Sequence, residues 1–113
     1  AARRLTRRYM HMIQGGFRTA HTMGDYARAL DVTPTHLTRS CKSASGMTAA
    51  DLLTERKLHA ARAALAEPKP SIQQIAKDLG YATPAYFTRF IRGQTGLPPS
   101  RLRQQTRSLG LRL

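Results

Sequence analysis

Two stretches of the chain repeat one pattern of apolar and polar positions about fifty residues apart. Residues 22–32 align with 71–81, and residues 33–46 align with 83–96 if Ala82 is an insertion. Seven of the 25 aligned positions are identical, and both copies contain a Thr-Pro pair at the same place. Matches in order with a single insertion indicate that the chain contains one supersecondary unit twice.

Each copy has the pattern of two short helices joined by a tight turn. The first helix has apolar residues at helical spacing, and these are Met23, Tyr26, Ala27 and Leu30 in one copy and Ile72, Ile75, Ala76 and Leu79 in the other. Thr22 and Ser71 stand where N-caps are expected. The Thr-Pro pair, with Thr33 or Thr83 as N-cap, predicts second helices over 34–44 and 84–93, which end near a glycine. This is a helix-turn-helix.

The second helix of each copy presents two different sides. Its apolar side is Leu37 with Cys41 in the first copy and Phe87 with Ile91 in the second. On the opposite side, residues at the spacing i, i+3, i+4, i+7 form one continuous stripe, the outer stripe. The outer stripe consists of Thr35, Thr38, Arg39 and Lys42 in the first copy, and of Ala85, Thr88, Arg89 and Arg92 in the second. A helix of this size enters the major groove of DNA, where Thr and Arg reach base edges. Such residues can simply face solvent, but their repetition in the same register favours the binding interpretation.

The remaining segments complete an all-α fold of about seven helices. Residues 48–66 predict a connecting helix, with Thr48 and Asp51 placed as a capping box. Leu5, Tyr9, Ile13 and Phe17 predict an N-terminal helix over 3–18, and 99–106 predict a last short helix. We therefore divide the chain into a first helix-turn-helix subdomain (1–47), a connecting helix (48–66) and a second subdomain (67–113).

Composition restricts the partner. Lys and Arg number 19 against 6 Asp and Glu, so the formal net charge is +13 and a polyanion is expected: DNA, RNA or an anionic membrane. The hydrophobic share of 41% is enough for a packed core, and no apolar run approaches the length of about 20 residues that spans a bilayer. A single cysteine suits a reducing cytoplasm. Because the chain starts with Ala rather than Met, we expect it to be a piece of a longer protein.

Other chemistries find little support in the sequence. The four His residues have no metal-ligand spacing with one another or with Cys41, and the carboxylates are scattered, so we expect no enzyme, metal or cofactor. Cys41 lies on an apolar helix side, where thiols are usually inert, which disfavours a redox sensor. Tyr81 and Tyr86 could stack on single strands, although Tyr81 fits the core better and Tyr86 could face either way. The arginine-rich start could bind a membrane, but its apolar side is needed to cover the first unit.

The second copy with its flanks carries a specific series of residues: Lys57-Leu58, Ala61, Leu65, Ser71-Ile72, Ile75-Ala76, Gly80-Tyr81, Tyr86-Phe87-Thr88-Arg89, Gly96, Pro99 and Arg103. With this spacing, residues 9–104 resemble the DNA-binding domain of the AraC/XylS family of bacterial transcription regulators. The resemblance implies seven helices, two helix-turn-helix units and binding to specific promoter sequences in double-stranded DNA. It implies activation through RNA polymerase in the cytoplasm, at the nucleoid, and in many relatives an N-terminal effector or dimerisation domain.

The resemblance and the outer stripes together give the candidate contacts. Base edges are assigned to Thr35, Thr38, Arg39, Ala85, Tyr86 and Arg89, with Pro84 at a matching position of the family. Phosphates are assigned to Thr22, Thr33, Lys42, Ser71, Thr83, Thr88 and Arg92. Because Ala85 offers only apolar contact, we expect the second unit to read less sequence than the first. The alternative is a basic helical module that binds RNA or nucleoid DNA without sequence preference.

The chain departs from the family pattern at a few positions. Cys41 and Ile91 replace the usual Phe, Asp31 replaces a turn Gly, Lys57 replaces Arg, and Pro98 and Leu102 replace Thr and Tyr. None of these lies on an outer stripe. A connecting helix of 19 residues is about 28 Å long. Because adjacent major-groove faces are about 34 Å apart, one chain could grip two successive grooves, with DNA bending if the helix is rigid.

Overall fold

A computed structural model describes residues 1–16 and 21–111 of the protein, and these residues form helices and no strand. The helices are α1 (Ala2–Gly16), α2 (Met23–Ala29), α3 (Pro34–Ser45), α4 (Ala49–Ala66), α5 (Ile72–Asp78), α6 (Pro84–Thr95) and α7 (Pro99–Leu111). The prediction of an all-α fold with two helix-turn-helix units is confirmed. None of the described helices is long and apolar enough to cross a membrane.

The chain forms two compact units, unit 1 over 1–57 and unit 2 over 58–113. The boundary lies inside α4, so the first half of this helix belongs to unit 1 and the second half to unit 2. The finer division into 1–47, 48–66 and 67–113 stays a prediction.

Side-chain caps begin the two helices of each helix-turn-helix, as the sequence predicts. The hydroxyls of Thr22, Thr33, Ser71 and Thr83 each accept a hydrogen bond from the backbone N–H three residues later, over 3.1–3.3 Å. Each cap satisfies one of the N–H groups that a helix start leaves without an internal partner. At the other end, Gly46 and Gly96 close α3 and α6 in the left-handed conformation, with φ of 82° and 79°. The boundaries of α3 and α6 are therefore encoded by residues next to them.

The turn of each unit is built in the same way although its central residue differs. Asp31 has a φ of 58° and Gly80, at the equivalent position, has a φ of 89°. The next residue returns a hydrogen bond to the helix in both copies, from Val32 N–H to Ala27 O over 2.9 Å and from Tyr81 N–H to Ala76 O over 3.0 Å. These bonds are typical of a helix that ends in a left-handed residue.

Unit 1 has its core where α1 and α2 pack against α3. Leu37 and Cys41 of α3 are fully buried, and Tyr9 of α1 is buried beside them. The Tyr9 hydroxyl donates a 2.6 Å hydrogen bond to the carbonyl of Ala49, the first residue of α4, and its ring meets Tyr26 edge-on at 5.7 Å. Burial raises the pKa of Tyr9 well above its usual value, so the phenol stays protonated as a donor. Phe17, predicted on the same side of α1, lies outside the described residues.

Unit 2 uses aromatic packing in the corresponding place. Phe87 and Ile91 of α6 are fully buried. The Tyr81 ring contacts the rings of Phe87 and Phe90, with centroids 5.2 and 5.8 Å away. Burial raises the pKa of Tyr81 to about 12. Tyr81 is therefore partly buried and packs against the core of unit 2, as its position after the turn indicates. Arg103 of α7 donates to the carbonyls of Leu65 and Pro70, over 3.3 and 2.7 Å.

Three local features differ from the sequence predictions. The last helix continues to Leu111 instead of ending at 106. Helix α3 ends at Ser45 instead of 44, and α6 ends at Thr95 instead of 93. The Ser45 and Thr95 hydroxyls donate to the Cys41 and Ile91 carbonyls, over 2.7 and 2.8 Å, and so satisfy backbone groups in the last turn. The complete capping box is formed at Thr22, where the Asp25 carboxylate accepts the Thr22 N–H. At Thr48 the structure gives only the bond from Asp51 N–H to the Thr48 hydroxyl.

Exchanging the two turn residues tests the cost of the left-handed conformation. We expect Asp31→Gly to raise the free energy of unfolding by about 0.5–1 kcal/mol, because Gly lacks the Cβ contact that penalises this conformation. The reciprocal Gly80→Asp is expected to lower it by a similar amount. Urea unfolding of both variants measures the effects, and a loss of stability in Asp31→Gly would contradict this account of the turn.

Candidate nucleic-acid interface

The outer stripes of α3 and α6 face away from the cores of their units. Thr35, Arg39 and Lys42 are exposed and Thr38 is partly covered. In unit 2 Ala85, Arg89 and Arg92 are exposed and Thr88 is partly covered. Each helix buries the opposite side, so its rotation about its own axis is fixed. Each predicted stripe is thus brought together on one helix surface, with its two cations available to an anion.

The starts of α3 and α6 add donors beside the stripes. Pro34 and Pro84 occupy the first helical position and have no N–H. The Thr33 and Thr83 hydroxyl oxygens accept from His36 and Tyr86, which leaves each hydroxyl hydrogen free to donate to an external acceptor. The positive end of each helix dipole lies here as well. Both threonines can therefore hold an anionic oxygen while they cap their helices.

Thr22 and Ser71, the caps of α2 and α5, are less alike. The Thr22 N–H already donates to the Asp25 carboxylate over 2.9 Å, and this bond lowers the Asp25 pKa, so a negative charge stays at the start of α2. Unit 2 has Gln74 in place of Asp25. Ser71 is thus electrostatically the better of the two sites for a phosphate.

A polar recess of about 430 Å³ lies beside Ser71. Its lining includes Gln73, Gln74, Lys77 and Thr83. The sequence interpretation did not assign Gln73 or Lys77 to the interface. The repeat contained a signal for Lys77, which aligns with Arg28 of unit 1. Arg28 pairs with Asp25 over 3.4 Å, but the residue of unit 2 that aligns with Asp25 is not acidic. Lys77, in the last turn of α5, is therefore an additional cation near the start of α6.

The outer stripe of α6 contains a hollow of about 610 Å³. Ala85, Thr88, Arg89, Arg92 and Gly93 line it. A Cβ built on Gly93 would meet no atom within 4 Å, and the φ of Gly93 is not in the left-handed region. Neither the backbone conformation nor packing against the residues that the structure describes therefore requires glycine here. Because Ala85 and Gly93 are smaller than Thr35 and Ser43 at the equivalent positions of α3, the outer stripe of α6 protrudes less than that of α3. This leaves room for a ligand to approach α6 closely.

Tyr86 is an exposed aromatic residue beside the outer stripe of α6. Its side chain is 54% exposed, which resolves the orientation that the sequence left open. The Arg89 guanidinium lies over the ring, 5.6 Å from its centroid. Tyr86 thus belongs to the same surface as Arg89 and does not contribute to the core of unit 2.

The arginine cluster of α1 lies elsewhere on unit 1. Leu5, Tyr9 and Ile13 face α3, whereas Arg4 and Arg7 are exposed on the opposite side of the helix. Because α1 packs against the buried side of α3, these arginines point away from the outer stripe of unit 1. Their positive charge can attract a polyanion over a distance.

Cys41 is buried between α1 and α3, and burial raises its pKa, with Thr6 as the neighbour that opposes this shift. A buried thiol with a raised pKa contains little of the reactive thiolate. This environment gives no support to redox sensing.

With the two matched stripes described, comparisons with known proteins identify the family. A model described as a helix-turn-helix domain, of the AraC type, matches residues 26–105. The chain belongs to this family. Members of this family are the DNA-binding domains of transcription regulators, so DNA binding is the function of this domain.

Two curated relatives come from Bacillus subtilis strain 168. The chain is 29% identical to the uncharacterized HTH-type transcriptional regulator YtdP over 88% of its own length, and this match covers 13% of YtdP. It is 28% identical to the bifunctional transcriptional activator/DNA repair enzyme AdaA over 84% of its length and 45% of that protein. The chain thus spans less than half the length of either relative.

Solved structures have the same fold. The C-terminal domain of AraT, a response regulator from Geobacillus stearothermophilus, superimposes with a TM-score of 0.82 at 29% identity, covering 89% of this chain and 84% of that one. An AraC-type regulator structure from Chromobacterium violaceum gives 0.77 at 21% identity, covering 91% and 92%. The second likeness concerns the fold alone.

The Asp25 cap predicts a pH dependence of stability. The Asp25 pKa is lowered in the folded state, so its stabilisation is present above the unfolded pKa of about 3.9 and is lost as pH falls through the lower folded value. At pH 7, Asp25→Asn should lower the melting temperature. The substitution should also reduce the further fall in melting temperature between pH 5 and pH 2.5. Asp51→Asn, at the helix start without the return bond, is the matched control. Equal acid-induced drops in wild type and Asp25→Asn would contradict the prediction.

Proposed function

We propose that this domain binds a specific sequence of double-stranded DNA with α3 and α6, the recognition helices, in two adjacent major grooves. The observation that carries the proposal is the pair of outer stripes. They occur in the same register of two helices, each held with its apolar side buried and its cations exposed. The 18 residues of α4, about 27 Å of helix, are of the order of one groove repeat, about 34 Å.

The six base contacts follow from side-chain chemistry. Arg39 and Arg89 pair with guanine O6 and N7 through two parallel N–H groups. Thr35 and Thr38 donate to base edges or place a methyl against thymine, and Ala85 makes apolar contact. Tyr86 lies at the same helix start as Ala85.

Phosphate contacts surround these positions and fix the register of the protein on the duplex. We assign them to Thr22, Thr33, Lys42, Ser71, Thr83, Thr88 and Arg92. The free hydroxyl hydrogens of the caps and the exposure of both cations support the assignment. Thr22 is the weakest of these because Asp25 repels an approaching phosphate, and Lys77 is a further candidate in unit 2.

The wider role is transcription regulation from promoter DNA, with activation through RNA polymerase. We propose that the domain is not itself catalytic, works in the cytoplasm at the nucleoid and functions with an N-terminal effector or dimerisation domain. The small share of YtdP and AdaA that the chain covers supports a larger regulator.

Substitution of the two stripe arginines separates specific from non-specific binding. Arg39→Ala and Arg89→Ala should each lose about 1–3 kcal/mol of discrimination at particular guanines, because each removes one bidentate contact. Lys42→Ala and Arg92→Ala are the matched controls, and they should weaken all duplexes alike and reduce the salt slope by about 1. Competition binding at fixed salt, with a duplex selected from a random pool, measures both.

Equal affinity for every duplex would reject sequence-specific binding and favour the non-specific module. Major-groove protection is the second measurement, since two protected segments one helical turn apart are expected. A single protected segment would reject the arrangement in adjacent grooves.

Gly93 gives a prediction in which stability and binding change in opposite directions. Gly93→Ala should raise the free energy of unfolding by about 0.5–1 kcal/mol, because alanine is the better helix former and its Cβ meets nothing. The same Cβ should weaken specific binding if DNA approaches the hollow closely. Ser43→Ala, at the equivalent position of α3, is the control with no added bulk. Unchanged duplex affinity of Gly93→Ala would show that the hollow is outside the interface.

A further inference from the structure

Arg89 is the stripe arginine that rests on an aromatic ring. Its guanidinium carbon lies 5.6 Å from the Tyr86 ring centroid, within the range of about 6 Å for cation–π attraction. The two residues are three positions apart on α6 and so share one side of the helix. The Tyr86 backbone is fixed as well, because its N–H donates to the Thr83 hydroxyl over 3.3 Å. The ring is thus anchored where it can restrict the Arg89 side chain.

Unit 1 has the same threonine cap and residue spacing but a different ring. His36 occupies the position of Tyr86, its N–H donates to the Thr33 hydroxyl over 3.1 Å, and Arg39 follows three residues later. Within the described residues, the Arg39 guanidinium has no ring contact like the one that Arg89 makes with Tyr86, and it has no ion pair. The two recognition helices therefore present the same arginine with and without an aromatic support.

We propose that Tyr86 is a positioning residue that holds Arg89 for guanine and makes unit 2 the more selective of the two units toward guanine. The inference rests on the proposed function. A long side chain that is immobilised on binding loses rotamer freedom, and one that is already held loses less. Because the guanidinium lies over the ring, Tyr86 acts through Arg89 in this proposal, and this role replaces the base contact assigned to Tyr86 under the proposed function. The expectation from Ala85 that unit 2 reads less sequence concerns other base positions and stays a prediction.

The experiment measures guanine discrimination at each unit separately. In a duplex selected from a random pool, the guanine facing each arginine is replaced by 7-deazaguanine, which lacks the N7 acceptor. Arg39→Ala and Arg89→Ala first assign each guanine to its arginine. In the wild-type chain, replacement should cost more affinity at the Arg89 guanine than at the Arg39 guanine, by a factor of about two to five.

Variants at the ring then test the cause. Tyr86→Ala should reduce the discrimination at the Arg89 guanine by about two- to fivefold, whereas Tyr86→Phe should retain it because the ring is kept. His36→Tyr should transfer the effect and raise discrimination at the Arg39 guanine by a similar factor. These positions are exposed, so thermal melting should show each variant folded.

The outcomes distinguish the inference from the function beneath it. If Arg89→Ala removes a guanine preference but Tyr86→Ala leaves it unchanged, the inference is overturned and the function stands. Equal losses in Tyr86→Ala and Tyr86→Phe would also overturn it, because the hydroxyl would then contact DNA directly. Absence of any selected site would overturn the proposed function and the inference together.

Discussion

The burial of one side of α3 and of α6 is the constraint on which the rest of the structure depends. Leu37 with Cys41, and Phe87 with Ile91, are each one helical turn apart and fully covered. Burying a single Leu or Phe side chain contributes about 1.5–3 kcal/mol, more than an exposed side chain on the other face can contribute. The buried side therefore sets the rotation of each helix, and the outer stripe faces outward as a consequence.

The features that the sequence predicts well are those determined by neighbours within a few residues. Thr33 and Thr83 cap helices because their hydroxyls reach an N–H three positions away, and the glycines at 46 and 96 close them because the required φ is positive. The left-handed Asp31 was also foreseeable, since its partner in the repeat is a glycine.

The features that the sequence left undetermined depend on distant parts of the chain. The orientation of Tyr86 depends on how much of α6 the core covers, and the burial of Thr6 and Ser40 depends on the approach of α1 to α3. Arg103 donates to a carbonyl 38 residues earlier, which no local pattern indicates. In the candidate site, the exposure of the two outer stripes was predictable from the repeat, but the contact between Arg89 and Tyr86 and the space at Gly93 required coordinates.

Local capping has a consequence for how such a domain can evolve. Each recognition helix begins and ends through hydroxyls and glycines of its own unit, and its exposed stripe makes little contribution to folding. Mutation can therefore change the outer side chains of one copy with little effect on its stability and none on the caps of the other. If α3 and α6 each read part of a DNA site as proposed, a duplicated unit with this construction can acquire a new target sequence one half-site at a time, while the other half keeps the protein bound.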